Sequence, residues 1–193
     1  DGQQRVLVCD EIYTGMGRTG RWLACEHVDV TPDIAVIGKG LTGALPLSAA
    51  IGTRAVMDAW PPSQGEAIHT STFIGNPIAC AAALAQIDEI ENRDLLGLAT
   101  GLGERIQTRA RSSQSMKTVT DVRGVGLLQG VVLASPARAL QVVNECLQKG
   151  VLLLMEGAAA DVLAITPPAV ITEAQLDHAL DVIGATLQSA AGR

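Results

Sequence analysis

Lysine and arginine are scarce and dispersed in this chain. They number 14 of 193 residues and nowhere form a dense block, against 20 acidic residues and a formal net charge of -6. That balance excludes nonspecific binding of nucleic acid or an anionic membrane through a basic surface. Cysteine is equally thin: Cys9, Cys25, Cys80 and Cys146 stand far apart without a CxxC pair. The spacing excludes a zinc knuckle and a dense disulfide framework, and it predicts buried free thiols. His27, His69 and His178 are also widely separated, with no carboxylate at metal-ligand spacing, so no metal site is expected. No uninterrupted apolar run reaches transmembrane length and no basic, apolar, small-residue leader opens the sequence, so a cytoplasmic protein with no membrane partner is expected. Internal repeats and low-complexity tracts are lacking as well.

What the chain does have is 48% apolar and 18% charged residues, the composition of a globular protein with room for one large or two small domains. Small-molecule chemistry is the class this leaves. The sequence opens at Asp1, and a core strand is predicted only a few residues later. Parallel strands need neighbours and cover on both faces, so the expectation is the later part of a larger protein.

Two β-rich apolar runs, residues 5 to 10 and 33 to 38, are separated by a connection long enough for a parallel crossover, much of it loop because of Gly15, Gly17, Gly20 and Pro32. Leu47 to Gly52 reads as a further strand. Asn76 as N-cap and Pro77 as first helical residue open a helix over Ile78 to Glu91, and a second helix covers Leu95 to Arg111. The polar stretch Ser112 to Ser115 marks the approach to a smaller domain, so residues 1–112 are expected to belong to a large domain and 113–193 to a small one. In the latter, Thr118 to Arg123 and Leu127 to Leu133 flank a Gly-Val-Gly turn, residues 137 to 149 are helical, and Val151 to Met155 and Val162 to Ile165 are strands. Thr172 with Gln175 three residues on is a capping box, followed by Leu176, Leu180, Ile183 and Leu187 at helical spacing.

The chemistry concentrates at strand ends. Lys39, in Ile37-Gly38-Lys39-Gly40, follows an apolar run, where burial favours an uncharged, nucleophilic amine. Asp10 ends the other apolar run, and ligands of open α/β sheets bind beyond the carboxyl ends of strands. His69-Thr-Ser-Thr72-Phe-Ile-Gly-Asn76-Pro77 offers hydroxyls beside a helix start. Taken singly, Lys39 reads as a solvated loop lysine, Asp10 as a turn residue and Thr72 as a cap hydroxyl. In order together they match what pyridoxal chemistry needs: an amine for the aldehyde, an anion for the pyridine nitrogen and donors for the phosphate.

The runs DEIYTGMGRTG at 10 to 20, PDIAVIGKGLTGALPL at 32 to 47 and HTSTFIGNP at 69 to 77 resemble the signature of class III aminotransferases. VRGVGLLQGVVL at 122 to 133 and ITPPAVITEAQLDHAL at 165 to 180 extend the likeness over essentially the whole chain. The resemblance implies an α/β fold: the later part of a fold-type I large domain with a mostly parallel sheet, followed by a small α/β domain. It also implies pyridoxal 5'-phosphate as cofactor, an amine and a 2-oxo acid as substrates, and a homodimer with sites at the subunit interface. Carried over, Lys39 is the Schiff-base lysine, Asp10 pairs with the pyridine nitrogen, Ile12 packs on the ring face and Thr72 hydrogen-bonds the phosphate of the partner subunit's cofactor. Tyr13 stands where some relatives have a cofactor-contacting glutamine, and Glu11 is expected to be structural or to support the residues that touch the cofactor. Relatives that grip an α-carboxylate often carry arginine in the strand before the Pro-Pro pair, where this chain has Ala164. That puts a glutamate/2-oxoglutarate half-reaction in doubt and favours pyruvate/alanine or a different carboxylate anchor, and the expected transfer is of an ω-amino group, or of an amine lacking an α-carboxylate, to an acceptor such as pyruvate. The alternatives are an aminomutase, epimerase, decarboxylase or phospho-lyase on the same scaffold, or an inactive fragment. Because the family's N-terminal half lies outside these residues, the chain alone is expected to bind cofactor weakly or not at all.

Two decoys are set aside. Gly15-Met-Gly17-Arg-Thr-Gly20 matches GxGxxG, but Asp10 to Thr14 intervene after the strand and Pro32 comes soon after. Gly38-Lys39 lacks the glycine five residues earlier and the Ser or Thr that a Walker loop requires.

Overall fold

A computed structural model describes residues 5–65 and 69–191 of the chain. By their contacts the residues divide into two compact units, Asp1–Leu96 and Gly97–Arg193.

In the first unit, β1 (Val8–Asp10) and β2 (Ile34–Ile37) pair in parallel with Asp10 opposite Val36, and β3 (Ala49–Gly52) joins β2 antiparallel. β1 is shorter than the run from residue 5 predicts. The Leu7 amide turns to the Asp33 carboxylate at 2.8 Å instead of continuing the ladder, and Val6, Leu7 and Val8 stay about half exposed. A short helix α1 (Arg54–Met57) follows, then α2 (Pro77–Asn92). Asn76 Oδ1 accepts the amides of Ile78 and Ala79 at 3.0 and 3.1 Å, so the predicted cap and the proline at the first helical position start α2 as expected. The buried core of this unit is small: Ile37, Leu41 and Ala83, with Met16, Leu23, Leu47 and Ala49 packed around them.

The second unit opens with α3 (Leu95–Ser112), whose first two residues are counted with the first unit. β4 (Val119–Val125) and β5 (Leu128–Leu133) form a hairpin, α4 (Pro136–Gln148) follows, then β6 (Leu154–Glu156), β7 (Val162–Ile165) and α5 (Glu173–Ala191). The sheet order is β4-β5-β7-β6, antiparallel throughout. The hairpin turn is Gly126-Leu127, because Gly124 and Val125 remain in register with Gln129 and Leu128. Gly124 holds φ +134 and a Cβ there would stand 2.2 Å from the Leu128 carbonyl oxygen, so the glycine fits an extended but crowded strand position. Strand β6 starts later than predicted: Val151 is buried in the core without joining the ladder.

One face of this sheet buries Val122, Val131 and Leu163 in a cross-strand row against Ile106, Val142, Leu180 and Ile183 of the helices. Alternation along the strands puts Gly130 and Ala164 in the neighbouring row, where Ala164 pairs with Gly130 and Leu154. The capping box of α5 forms as predicted, with the Thr172 amide donating to Gln175 Oε1 at 3.0 Å and the Gln175 amide to Thr172 Oγ1 at 3.2 Å. The thiols are all free, but only Cys25 and Cys146 are buried, and Cys9 and Cys80 are half-buried. Among the described residues no helix is long and apolar enough to cross a membrane, and no cluster of His, Cys, Asp or Glu is arranged to hold a metal ion.

Candidate active site

The parallel pairing of β1 and β2 brings Asp10 and the residues after Ile37 to the same sheet edge. The Glu11 amide donates to the Val36 carbonyl at 2.8 Å, extending the ladder one step beyond β1. Asp10 then folds back on its own loop, its Oδ1 accepting the Ile12 amide at 3.0 Å. This Asx turn leaves the carboxylate exposed at the strand end.

Glu11 is turned the other way and is 3% exposed. Its carboxylate accepts the amides of Ala24 and Cys25 at 3.0 and 2.8 Å and the Thr14 hydroxyl. Burial raises the Glu11 carboxyl, but these hydrogen bonds outweigh it and hold the group below its ordinary value. The buried Cys25 thiol is pushed up by burial first, then by Glu11 and by Cys9. Glu11 is therefore a structural clamp, as expected, that fixes the loop carrying Ile12 and Tyr13.

After β2 the chain makes a tight turn, Lys39–Leu41, with Leu41 N to Gly38 O at 2.8 Å and Gly43 N to Lys39 O at 3.0 Å. Lys39 adopts φ 37, in the left-handed region. The Ile12 side chain lies beside Gly38, where a Cβ would meet its methyl at 3.5 Å; at Gly40 a Cβ would stand 3.0 Å from Met16 Cβ. The small residues flanking Lys39 thus let the loop of Ile12 and Met16 close against the lysine turn.

Within the described residues Lys39 is exposed, whereas its apolar run suggests burial. Val36 and Ile37 belong to the sheet, but the turn after them points the lysine away from the small core. Its Nζ lies 4.2 Å from the centroid of the Tyr13 ring, a cation–π distance. Tyr13 is half-buried and its phenol lies near Arg18, whose guanidinium burial pulls below its ordinary value while Tyr13 pulls it back up.

Asp10, Ile12, Tyr13 and Lys39 are thus assembled by two adjacent strand ends. Thr72 lies on an exposed turn before Asn76, and no described hydrogen bond ties it to the other four. The roles of Glu11 as loop clamp and of Arg18 beside the tyrosine are the local features that motif spacing alone leaves undefined.

The arrangement offers an amine, a carboxylate and an apolar and an aromatic side chain around one edge. That donor set suits an aromatic aldehyde with a basic ring nitrogen.

The model of the class-III aminotransferases matches residues 1–187. A leucine/methionine racemase of Thermococcus litoralis is 40% identical over 185 residues, 91% of this chain and 40% of that protein. Acetylornithine aminotransferase of Mycolicibacterium smegmatis is 37% identical over 187 residues, 96% of this chain and 46% of that protein. A solved ornithine aminotransferase of Toxoplasma gondii, described with partial occupancy of PLP at its active site, superposes with a TM-score of 0.86 at 35% identity, covering 96% of this chain and 43% of that one. The chain spans less than half the length of these relatives. Its fold is that of the matching part of the fold-type I aminotransferases, and the chain belongs to the class-III aminotransferase family.

Proposed function

We propose that this chain is the later part of a pyridoxal-phosphate-dependent enzyme that transfers an amino group from an amine to a 2-oxo acid. The observation that carries the reading is the placement of the Asp10 carboxylate and the Lys39 amine at the same edge of the parallel β1–β2 pair. Pyridoxal phosphate, when bound there, supplies a reactive aldehyde and an electron sink. Lys39 would hold the aldehyde carbon and afterwards carry the proton that leaves the substrate's amine-bearing carbon. Asp10 would keep the proton on the pyridine nitrogen. Ile12, lying against Gly38, would cover one ring face, and Tyr13 would border the site beside Lys39. The Thr72 hydroxyl, exposed on its turn, would serve the phosphate of a partner subunit's cofactor in a homodimer.

Residues 1–112, ending with α3, belong in this reading to the cofactor-binding domain and 113–193 to the small domain. Ala164 supports an amine without an α-carboxylate, or an ω-amino group, as donor, and an acceptor such as pyruvate would need another carboxylate anchor. Ala164 is 4% exposed between Gly130 and Leu154, and a methyl group there cannot make the bidentate, charge-assisted contact of an arginine. A cytoplasmic location fits this metabolic chemistry. A second reading, racemisation or another reaction on the same scaffold, is favoured by the 40% identity to the Thermococcus litoralis racemase.

The test uses the full-length protein. Pyridoxal phosphate is added, the mixture is reduced with borohydride, and the labelled peptide is mapped. Label on Lys39 is expected, and label elsewhere or none rejects the cofactor assignment. Product analysis with an ω-amino donor and pyruvate, and with one enantiomer of alanine on a chiral column, then separates the reactions. Net amino transfer supports the first reading, whereas inversion of the donor without transfer supports the second.

A further inference from the structure

The contact between Lys39 and Tyr13 is required neither by the strand register nor by the order of the motifs. The Lys39 stem leaves a left-handed backbone position in a tight turn and is exposed within the described residues, so no packing among them fixes where the amine sits. The Tyr13 ring, by contrast, stands on a loop that Glu11 clamps through the Ala24 and Cys25 amides. Among the described contacts of the amine, the one at 4.2 Å over this ring is the contact that defines its place.

We infer that Tyr13 is a positioning residue whose ring face is the seat of the Lys39 amine whenever that amine is not bonded to a carbonyl. The inference rests on the assignment of Lys39 as the cofactor lysine. A four-carbon stem would otherwise sample several positions around its turn, and the seat keeps the nitrogen beside the strand end that carries Asp10. An exposed contact of this kind corresponds to about a two- to five-fold preference for the seated position. Aromatic face, rather than hydroxyl, is the chemical requirement. Phenylalanine and tryptophan would serve, whereas glutamine and leucine would not.

The experiment is trace acetylation of the cofactor-free full-length protein with acetic anhydride, reading label on Lys39 against Lys117, an exposed lysine of the second unit. Tyr13→Gln and Tyr13→Leu are expected to raise the Lys39 to Lys117 ratio about two- to five-fold. Tyr13→Phe and Tyr13→Trp should restore the wild-type ratio. Two ring-free variants are used so that one carries the comparison should the other not fold. An unchanged ratio in the ring-free variants, or a phenylalanine variant that behaves like the glutamine one, overturns the inference. The outcome is separable from that of the borohydride test. Cofactor fixed on Lys39 with an unchanged ratio rejects the seat alone, and a raised ratio without fixation on Lys39 rejects the cofactor assignment alone.

Discussion

The Cys25 amide donates to Glu11 Oε1 at 2.8 Å, joining the residue that follows Asp10 to a segment 14 residues further along the chain. With the Ala24 amide and the Thr14 hydroxyl on the same carboxylate, this bond closes the loop that carries Ile12, Tyr13 and Met16. The side chains at the strand end are held because one buried acid satisfies three donors.

Replacing Glu11 by glutamine removes the charge and turns an amide NH2 toward backbone N–H groups that have no other acceptor. A cost of about 1–3 kcal/mol is expected, the range for hydrogen bonds to a charged group and for a buried donor left unpaired. The measurement is the urea midpoint of the Glu11→Gln protein. The folded Glu11 carboxyl lies below its ordinary value, so its contribution is fully present above the unfolded glutamate value of about 4.3 and is lost as pH falls through the folded value. The difference between wild type and Glu11→Gln should therefore narrow on acidification. A difference that is constant or widens below pH about 4 contradicts the clamp.

Helix α2 begins where one side chain permits it. Asn76 Oδ1 accepts two amides that lack intrahelical partners, and Pro77 occupies the position that needs no N–H. Asn76→Ala should cost about 1 kcal/mol and Asn76→Asp nearly nothing, since aspartate accepts the same bonds. Hydrogen exchange at Ile78 and Ala79 locates the effect: their amides should lose protection in the alanine variant while those in the middle of α2 do not. Equal loss along the helix would mean that the cap is not what secures its start.

How far the sequence discloses this molecule depends on whether the deciding forces are local. The caps at Asn76 and Thr172 and the position of β7 were legible because neighbouring residues determine them. The start of β6 was not. Val151 has the apolar character of a strand residue, but its place in the core is set by the helices packed around it rather than by a ladder. Likewise, the motifs that carry Asp10, Lys39 and Thr72 pointed to the family, whereas the place of Lys39 on Tyr13 depends on a left-handed turn that no apolar pattern encodes. Glu11 shows the same division: an acid beside an apolar run is visible in sequence, but the amides it accepts come from a distant loop.

Core packing and surface pairing in the second unit should separate clearly by mutation. Leu163 on β7 is fully buried in the row with Val131 and Val122, so Leu163→Ala deletes apolar contacts and leaves a cavity the antiparallel neighbours cannot collapse into. A loss of about 2–5 kcal/mol is expected. Arg105 of α3 holds Asp177 of α5 with both ends of its guanidinium and reaches Glu173 at 3.1 Å, but the side chains remain 41% and 37% exposed for the Arg105–Asp177 pair. Side-chain ordering and solvent screening offset most of the attraction in such a pair. Arg105→Ala should consequently produce a smaller loss than Leu163→Ala, and one that shrinks as salt is added, while the Leu163→Ala loss stays constant. Urea unfolding of both variants at low and high sodium chloride decides the point: a salt-insensitive Arg105→Ala loss as large as that of Leu163→Ala would mean the α3–α5 ion pairs, not the sheet–helix core, hold this unit together.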